Sequence, residues 1–426
     1  MSLGRVNWRC SLVGWFFVVA FMICGGHAAC SFISMSVGDS LVCLGGIFCL
    51  DYVSFCLVLL SVIIWSSLIF WFSEISGFCF LFLSLSVVSS LACYCCIHAL
   101  WFWVFYEMSI IFLLVLLVVD SPYSERYVAS WYLLGYIMLT SLPMLLCLFY
   151  LSEEWGSLDL RLWGGDLNLS IFCGLFLSVL FITKIPLFPF HVWLPIVHAE
   201  ASSPVSVCLS GYIMKLGILG VCRFCASFLP ELVFCEPFVW LCFVSALFFY
   251  VSAARELDGK RWLAFLSLSH IVVAAACLGV GGWQLSGVAF LYCLGHGLSA
   301  ASIFLFLWMI YNSVSTRNLV LIKAGISNSL FLRGMACLCL CTACSLPPTV
   351  QFFCEVFLVY ESGGLSLFYT LLIYVFLFCG GLVPLFLVGS LLTRHYSVSG
   401  RIDSVWLGLF SVFLLVLWSF AFFLVG

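Results

Sequence analysis

The chain has 426 residues, of which 65% are hydrophobic and only 8% charged, with a formal net charge of −3. Apolar runs of about 20 residues recur from end to end, the length that crosses the hydrocarbon core of a bilayer, so an all-α polytopic membrane protein is predicted. The longest polar connection is far shorter than the roughly 50 residues a soluble domain needs, and the sequence contains no dinucleotide-binding glycine fingerprint, P-loop or paired CxxC set. No cofactor or metal is therefore expected in this chain, and its expected surroundings are membrane lipids, not nucleic acid.

The first nine residues carry Arg5 and Arg9, and an apolar run follows from about Cys10 to Ile33. A cleaved signal peptide is one reading, but the run is long for one and lacks a clear small-residue cleavage site, so it is counted as a span. The polar, glycine-containing stretch from Ser34 to Asp51 is expected to form a short surface hairpin. Further apolar segments centre near residues 63, 86, 109, 139, 177, 215, 243, 271, 298, 340, 377 and 414. With the first, these make about 13 spans.

Short inner loops should hold the excess of Lys and Arg. With the N-terminus inside, the inner side holds Arg5, Arg9, Arg126, Arg255, Lys260, Arg261, Arg317, Lys323, Arg333, Arg394 and Arg401. Arg161 and Arg223 fall outside, and Lys184 and Lys215 inside the membrane, which accounts for all 15 cations. Asp39, Glu153, Glu154, Asp159, Asp166, Glu231, Glu236 and Glu361 fall outside.

Two spans contain proline breaks. In the first, Pro186, Pro189 and Pro195 follow Lys184; in the second, Pro347 and Pro348 precede Glu355. Proline removes a backbone donor and clashes with the preceding turn, freeing carbonyls that need other partners. Breaks at matching places in two halves point to inverted repeats around a midplane site. The expected organisation is residues 1–76 as N-terminal helices and hairpin, 77–229 and 230–391 as the two repeats, and 392–426 as a C-terminal helix.

Four ionisable residues fall deep in apolar segments: Glu107, Lys184, Lys215 and Glu355. A lysine at mid-bilayer depth costs at least about 2.5 to 3.5 kcal/mol, so each should face a hydrated interior and a partner. At 1.5 Å per residue, Glu107 lies roughly 20 Å from Asp120 and roughly 13 Å from His98, near the midplane. Desolvation loosens a lysine's proton and tightens a glutamate's, which brings such a pair toward exchange near neutral pH. His191, His270 and His296 could extend a proton path, since imidazole titrates near neutrality. Taken singly, a buried Glu or Lys can be a hydrogen-bonded clamp between helices, which all four together do not favour, and a lone histidine is more often a satisfied core residue. His198 and Glu200, beyond Pro195, belong to the inner mouth, and Asp258, Lys260 and Arg261 read as a solvated inner loop.

Most of the 25 cysteines are scattered singly in apolar segments and read as small hydrophobes. Even the densest group, Cys93, Cys95 and Cys96 with His98 nearby, favours packing over metal ligation. The richness in Phe, Cys, Trp, Val, Leu and Gly and the scarcity of Asn, Gln, Lys and Thr suggest a small genome of skewed base content, such as a mitochondrial one.

From about Asp51 to His395 the sequence resembles the antiporter-like (Mrp-type) membrane subunits of respiratory complex I. The segment KIPLFPFHVWLPIVHAEASSPVSVCLSGYIMKLG, from Lys184 to Gly217, is similar to the family's most specific motif. FYEMSIIFLLVLL, RELDGKRWLAFLSLSH, GHGLSAASIFLF and SLPPTVQFFCEVF support it. The resemblance implies that Glu107 pairs with Lys184 on the broken span, that Lys215 is the central lysine of the next span, and that Glu355 is the acidic outer end of a hydrophilic axis. His191, His270 and His296 would line or support that axis. It implies a proton-translocating subunit of NADH:ubiquinone oxidoreductase, without a redox centre of its own, in the mitochondrial inner membrane.

A glutamate at 355, and no long transverse helix after the last span, set the chain apart from family members known as subunits 2 and 5, which become its expected neighbours. The family has about 14 spans, so the first is expected to be missing here. A stand-alone cation/proton antiporter and a purely structural membrane scaffold remain the alternative functions.

Overall fold

The computed structural model describes residues 42–44, 46–163, 170–225, 233–281, 286–326, 329–364, 366–393 and 405–421. The apolar run from Cys10 to Ile33, together with Arg5, Arg9, Asp39, Asp166, Glu231, Arg394, His395 and Arg401, lies outside the described residues.

Strands β1 (Val42–Leu44) and β2 (Phe48–Leu50) pair antiparallel, with Val42 opposite Leu50. Gly46 at φ 73° makes the turn, a conformation that costs glycine little. The hairpin expected before Asp51 is thus present, a small sheet added to the helical fold. Asp51 then caps α1 (Tyr52–Ile69) through a reciprocal box with Ser54.

Next come α2 (Gly77–Cys95), α3 (Ala99–Val119) and α4 (Arg126–Trp155). The first broken span is α5 (Ser170–Lys184) followed by α6 (Trp193–Glu200). Then α7 (Ser203–Cys208) runs through a π-turn at Leu209–Ile213 into α8 (Met214–Cys225). The second half contains α9 (Glu236–Arg255), α10 (Gly259–Gly281), α11 (Ser286–Val314) and the short α12 (Leu319–Ile326). The second broken span is α13 (Leu330–Ala343) with α14 (Val350–Ser362), and α15 (Leu367–Leu392) and α16 (Val405–Ala421) complete the bundle.

Among the described residues, nine helices are long and apolar enough to cross a membrane. The two broken spans and the shorter apolar α16 account for the remaining expected segments. Many serines inside these helices return their hydroxyls to carbonyls three or four residues back, as Ser61 does to Leu57 and Ser90 to Val87, so those need no partner from lipid.

Proline position decides which spans break. Pro186 and Pro189 lie between α5 and α6, and Pro347 and Pro348 between α13 and α14. Pro195, expected to share in the first break, sits instead in the first turn of α6, where a missing N–H leaves no gap. Pro143 and Pro384 lie within the continuous helices α4 and α15. At the first break the indole N–H of Trp193 donates to the Thr183 carbonyl at 3.2 Å, so one freed acceptor is met from across the gap.

Burial ranks the helices. The span from Ser203 to Phe224 is 100% buried and α11 89%, whereas α15 is 28% and α4 31%, so the first two form the centre and the others the lipid face. Lipid offers no hydrophobic drive between helices, and close packing depends on small residues. A Cβ on Gly217 would lie 2.6 Å from Ile185 Cγ1 and 3.2 Å from the Phe181 carbonyl, so glycine lets α8 rest against the end of α5 beside Lys184.

Candidate functional site

The first centre forms where α3 meets the end of α5. Lys184 Nζ lies 2.7 Å from Glu107 Oε1, with each side chain only 7% exposed. The ammonium also sits 4.4 Å above the Tyr106 ring, a favourable cation–π placement. Lys184 occupies the C-terminal turn of α5, where the helix dipole favours positive charge. Glu107 Oε2 and the Tyr106 hydroxyl are buried without a protein partner. The sequence expectation of partnered intramembrane charges is met here by geometry.

The second centre is built around Lys215 on α8, fully buried. In the π-turn the Met214 N–H bonds to Leu209, five residues back, and the Ser210 carbonyl accepts a hydrogen bond from Lys215 Nζ. Lys215 and His270 of α10 both act electrostatically on His296 of α11. The two imidazoles meet edge to face with ring centroids 5.7 Å apart. The Tyr292 ring stacks on His296 at 6.4 Å, and its hydroxyl donates to Glu355 Oε1 at 3.4 Å. Ser345, in the second break, donates to the same oxygen at 2.7 Å. Both ring nitrogens of His296 are buried without a protein partner.

The structure therefore brings Glu107 to Lys184, and Lys215, His296, His270 and Glu355 into one buried line with Tyr292. Among the described residues no hydrogen bond joins the two groups, whose lysines lie on the packed helices α5 and α8. His191 is not part of either group. It sits half-buried in the first break, its ring 4.6 Å from that of Phe249 on α9.

Two readings of the polar periphery change. His198, placed by sequence at the inner mouth, is completely buried, stacks on Phe304 at 5.1 Å and feels the charges of both Lys260 and Lys215. Lys260, read as part of a solvated loop, is 6% exposed and donates to the Ala201 carbonyl at 2.7 Å, while Arg261 beside it is exposed. Arg317 donates to the Ala199 carbonyl at 2.6 Å, and the Tyr123 ring lies between the two cations at 5.1 Å and 4.1 Å. Both cations thus cap the C-terminal carbonyls of α6. Sequence could not show this, since α6 gains its cations from residues 59 and 118 positions away.

Arg223, assigned to the outer side, forms a buried ion pair with Asp51 at 2.6 Å and 2.9 Å and also donates to the Tyr94 carbonyl. Burial alone would raise the Asp51 carboxyl, but the charge and hydrogen bonds of Arg223, with those of Ser54, hold it below the free-carboxyl value of 3.8. A depressed carboxyl contributes stability that is complete above its unfolded pKa and fades as pH falls through its folded one. Arg223→Met strands that carboxylate, a change worth about 3 to 5 kcal/mol for a buried pair. Thermal unfolding of the detergent-purified protein should show a lowered midpoint at pH 7 that Asp51→Asn in the same chain largely restores. An unchanged midpoint for Arg223→Met would mean that the pair contributes nothing to stability.

Taken together, the fold and site define a polytopic helical membrane protein that carries ionisable residues in line through its interior at two proline-broken spans. Residues 97–379 match the NADH:quinone oxidoreductase/Mrp antiporter transmembrane family. The chain belongs to this family, as the sequence resemblance implied.

It is similar to NADH-ubiquinone oxidoreductase chain 4 of Chlamydomonas reinhardtii, 32% identical over 289 residues, covering 66% of this chain and 63% of that protein. The chain 4 proteins of Chondrus crispus (30% identical, 56% and 49% covered) and Metridium senile (32%, 59% and 52%) are also similar. The chain thus spans between about half and just under two thirds of these curated relatives. A chain of respiratory complex I from Thermus thermophilus with bound NADH superposes with a TM-score of 0.81 at 21% identity, covering 98% of this chain and 92% of that one. That likeness establishes a common fold.

Proposed function

We propose that this chain is the subunit 4 type membrane component of NADH:ubiquinone oxidoreductase, moving protons across the mitochondrial inner membrane while quinone reduction proceeds in other subunits. The observation that carries the proposal is the buried set of Lys215, His296 and His270, with Tyr292 joining His296 to Glu355, beside the Glu107–Lys184 ion pair. Ion pairs also hold helices together. A line of groups that can each gain and lose a proton, with both nitrogens of His296 free of protein partners, is what conduction requires.

In this reading the Glu107–Lys184 pair is the input. Redox energy released elsewhere weakens the pair, the freed charge changes the proton balance at Lys215, and a proton leaves Lys215 as its amine becomes neutral. His296 and His270 pass it through bridging water to Glu355, from which it discharges to the outer side. Subunits 2 and 5 are the proposed neighbours, and the chain brings no redox group of its own. The repeats 77–229 and 230–391 divide the pair and the line between them, with Lys215 at the end of the first.

The family also includes Mrp antiporters, which favours a cation/proton exchanger as the second reading. Mass spectrometry of the native membrane assembly separates the two. Flavin and iron–sulfur subunits are expected to co-purify with this chain. Purification alone, or with transporter subunits only, would replace the complex I assignment with the antiporter.

A further inference from the structure

Two cysteines that take no part in the proposed proton path meet where α4 packs on α5. The Cys173 thiol donates to the Cys147 carbonyl at 3.8 Å, and the two thiol groups lie within hydrogen-bonding reach of each other. The contact joins residues 26 positions apart, on either side of the outer loop that carries Asp159 and Arg161. Cys147 is buried and Cys173 half-buried, while Leu146 and Phe172 beside them are 69% and 81% exposed. The pair therefore sits at the seam between the two helices and the acyl chains.

Its depth follows from helix geometry. Cys173 is the fourth residue of α5, and Cys147 stands eight residues before the end of α4. At 1.5 Å per residue they lie about 5 and 12 Å from those outer helix ends. Glu154, exposed at the end of α4, is near enough to act electrostatically on Cys173. Thiolate is the attacking form of cysteine, and it forms more readily near such a polar boundary than in mid-bilayer.

We infer that Cys147 and Cys173 form an oxidation site, at which a hydroperoxide, dissolved in water or carried on an oxidised acyl chain, converts the two thiols into a disulfide that ties α4 to the outer end of α5. Cys173, the less buried, meets the oxidant first. Its sulfur attacks one oxygen of the peroxide, so that an S–O bond forms and the O–O bond breaks. The other oxygen takes the thiol proton and leaves as water or a lipid alcohol. Cys147 then attacks the sulfenic sulfur, the S–S bond forms, and the hydroxyl leaves as water with the Cys147 proton. The two thiols lose two electrons in all, and the peroxide bond gains them. A second thiol in contact is what stops the sulfenic acid from oxidising further and keeps the change reversible. Lys184 stands eleven residues along α5, roughly 16 Å further in, so the bond fixes the outer end of the span that carries it.

The unmodified chain in native membrane vesicles tests this, whatever its transport activity proves to be. The vesicles are exposed to hydrogen peroxide, or to a phospholipid hydroperoxide built into the bilayer, then alkylated with iodoacetamide and read by peptide mass spectrometry. Cys147 and Cys173 should lose their alkylatable thiols together and appear as one linked peptide, two hydrogens lighter than the reduced pair, and dithiothreitol should return both. Linkage by the lipid hydroperoxide at doses where hydrogen peroxide gives none assigns the oxidant to the acyl chains, and the reverse assigns it to water. Thiols that stay alkylatable under both oxidants, or that oxidise without linking to each other, would overturn the site. In Cys147→Ser, dimedone should capture Cys173 as the sulfenic acid after oxidation. Failure to capture it there, with capture of Cys147 in Cys173→Ser, would overturn the assignment of Cys173 as the first to react.

Discussion

Glu107→Gln is expected to cut proton translocation by at least tenfold while the chain still assembles. Gln keeps the shape and one hydrogen-bonding oxygen but leaves the Lys184 ammonium, 7% exposed, without its counter-charge. Removing one partner of a buried pair costs about 3 to 5 kcal/mol when the other stays charged. Lys184 avoids much of that by giving up its proton, and the input centre is then neutral before any signal arrives. The measurement is NADH-driven acidification in vesicles, set against the abundance of the assembled complex. Adding Lys184→Met should recover the lost thermal stability and leave pumping low. Wild-type pumping in Glu107→Gln, or recovery of pumping in the double variant, would make the pair a helix clamp.

Lys215 gives the second large effect, and its value lies in the contrast between two substitutions. Lys215→Met removes the only ammonium that acts on His296 among the groups described there, and pumping should fall by roughly the 10² to 10⁴ that a positioned proton-transferring group supplies. Lys215→Arg keeps a cation able to reach the Ser210 carbonyl but holds its proton through the working pH range, so it should fail almost as badly. A structural role predicts the opposite, with Arg tolerated and Met not. Retained pumping by Lys215→Arg, at normal assembly, would remove Lys215 from the proton path.

The spans were legible because lipid makes a hard demand. Apolar runs near 20 residues cannot be anything but helices there, and each of the 12 centres between residues 63 and 414 falls in a helix or a broken pair. The first centre, between Cys10 and Ile33, lies outside the described residues. The four intramembrane charges were equally legible, since burying them without function or partner is costly. Broken spans were visible from Pro186, Pro189, Pro347 and Pro348, although Pro195, Pro143 and Pro384 show that proline count alone overstates breaks.

Pairing was the part that local sequence could not carry. Glu107 meets Lys184 across 77 positions, Asp51 meets Arg223 across 172, and Lys260 reaches the end of α6 across 59. His191 and His296 look alike in sequence, each a histidine in an apolar span, yet one lies against Phe249 while α11 holds the other against His270. The sequence by itself determined that this is a helical membrane protein with charges inside it, because hydropathy and the cost of buried charge act residue by residue. Which charge faces which only the tertiary structure decided, because helix packing sets distances that no spacing along one chain encodes.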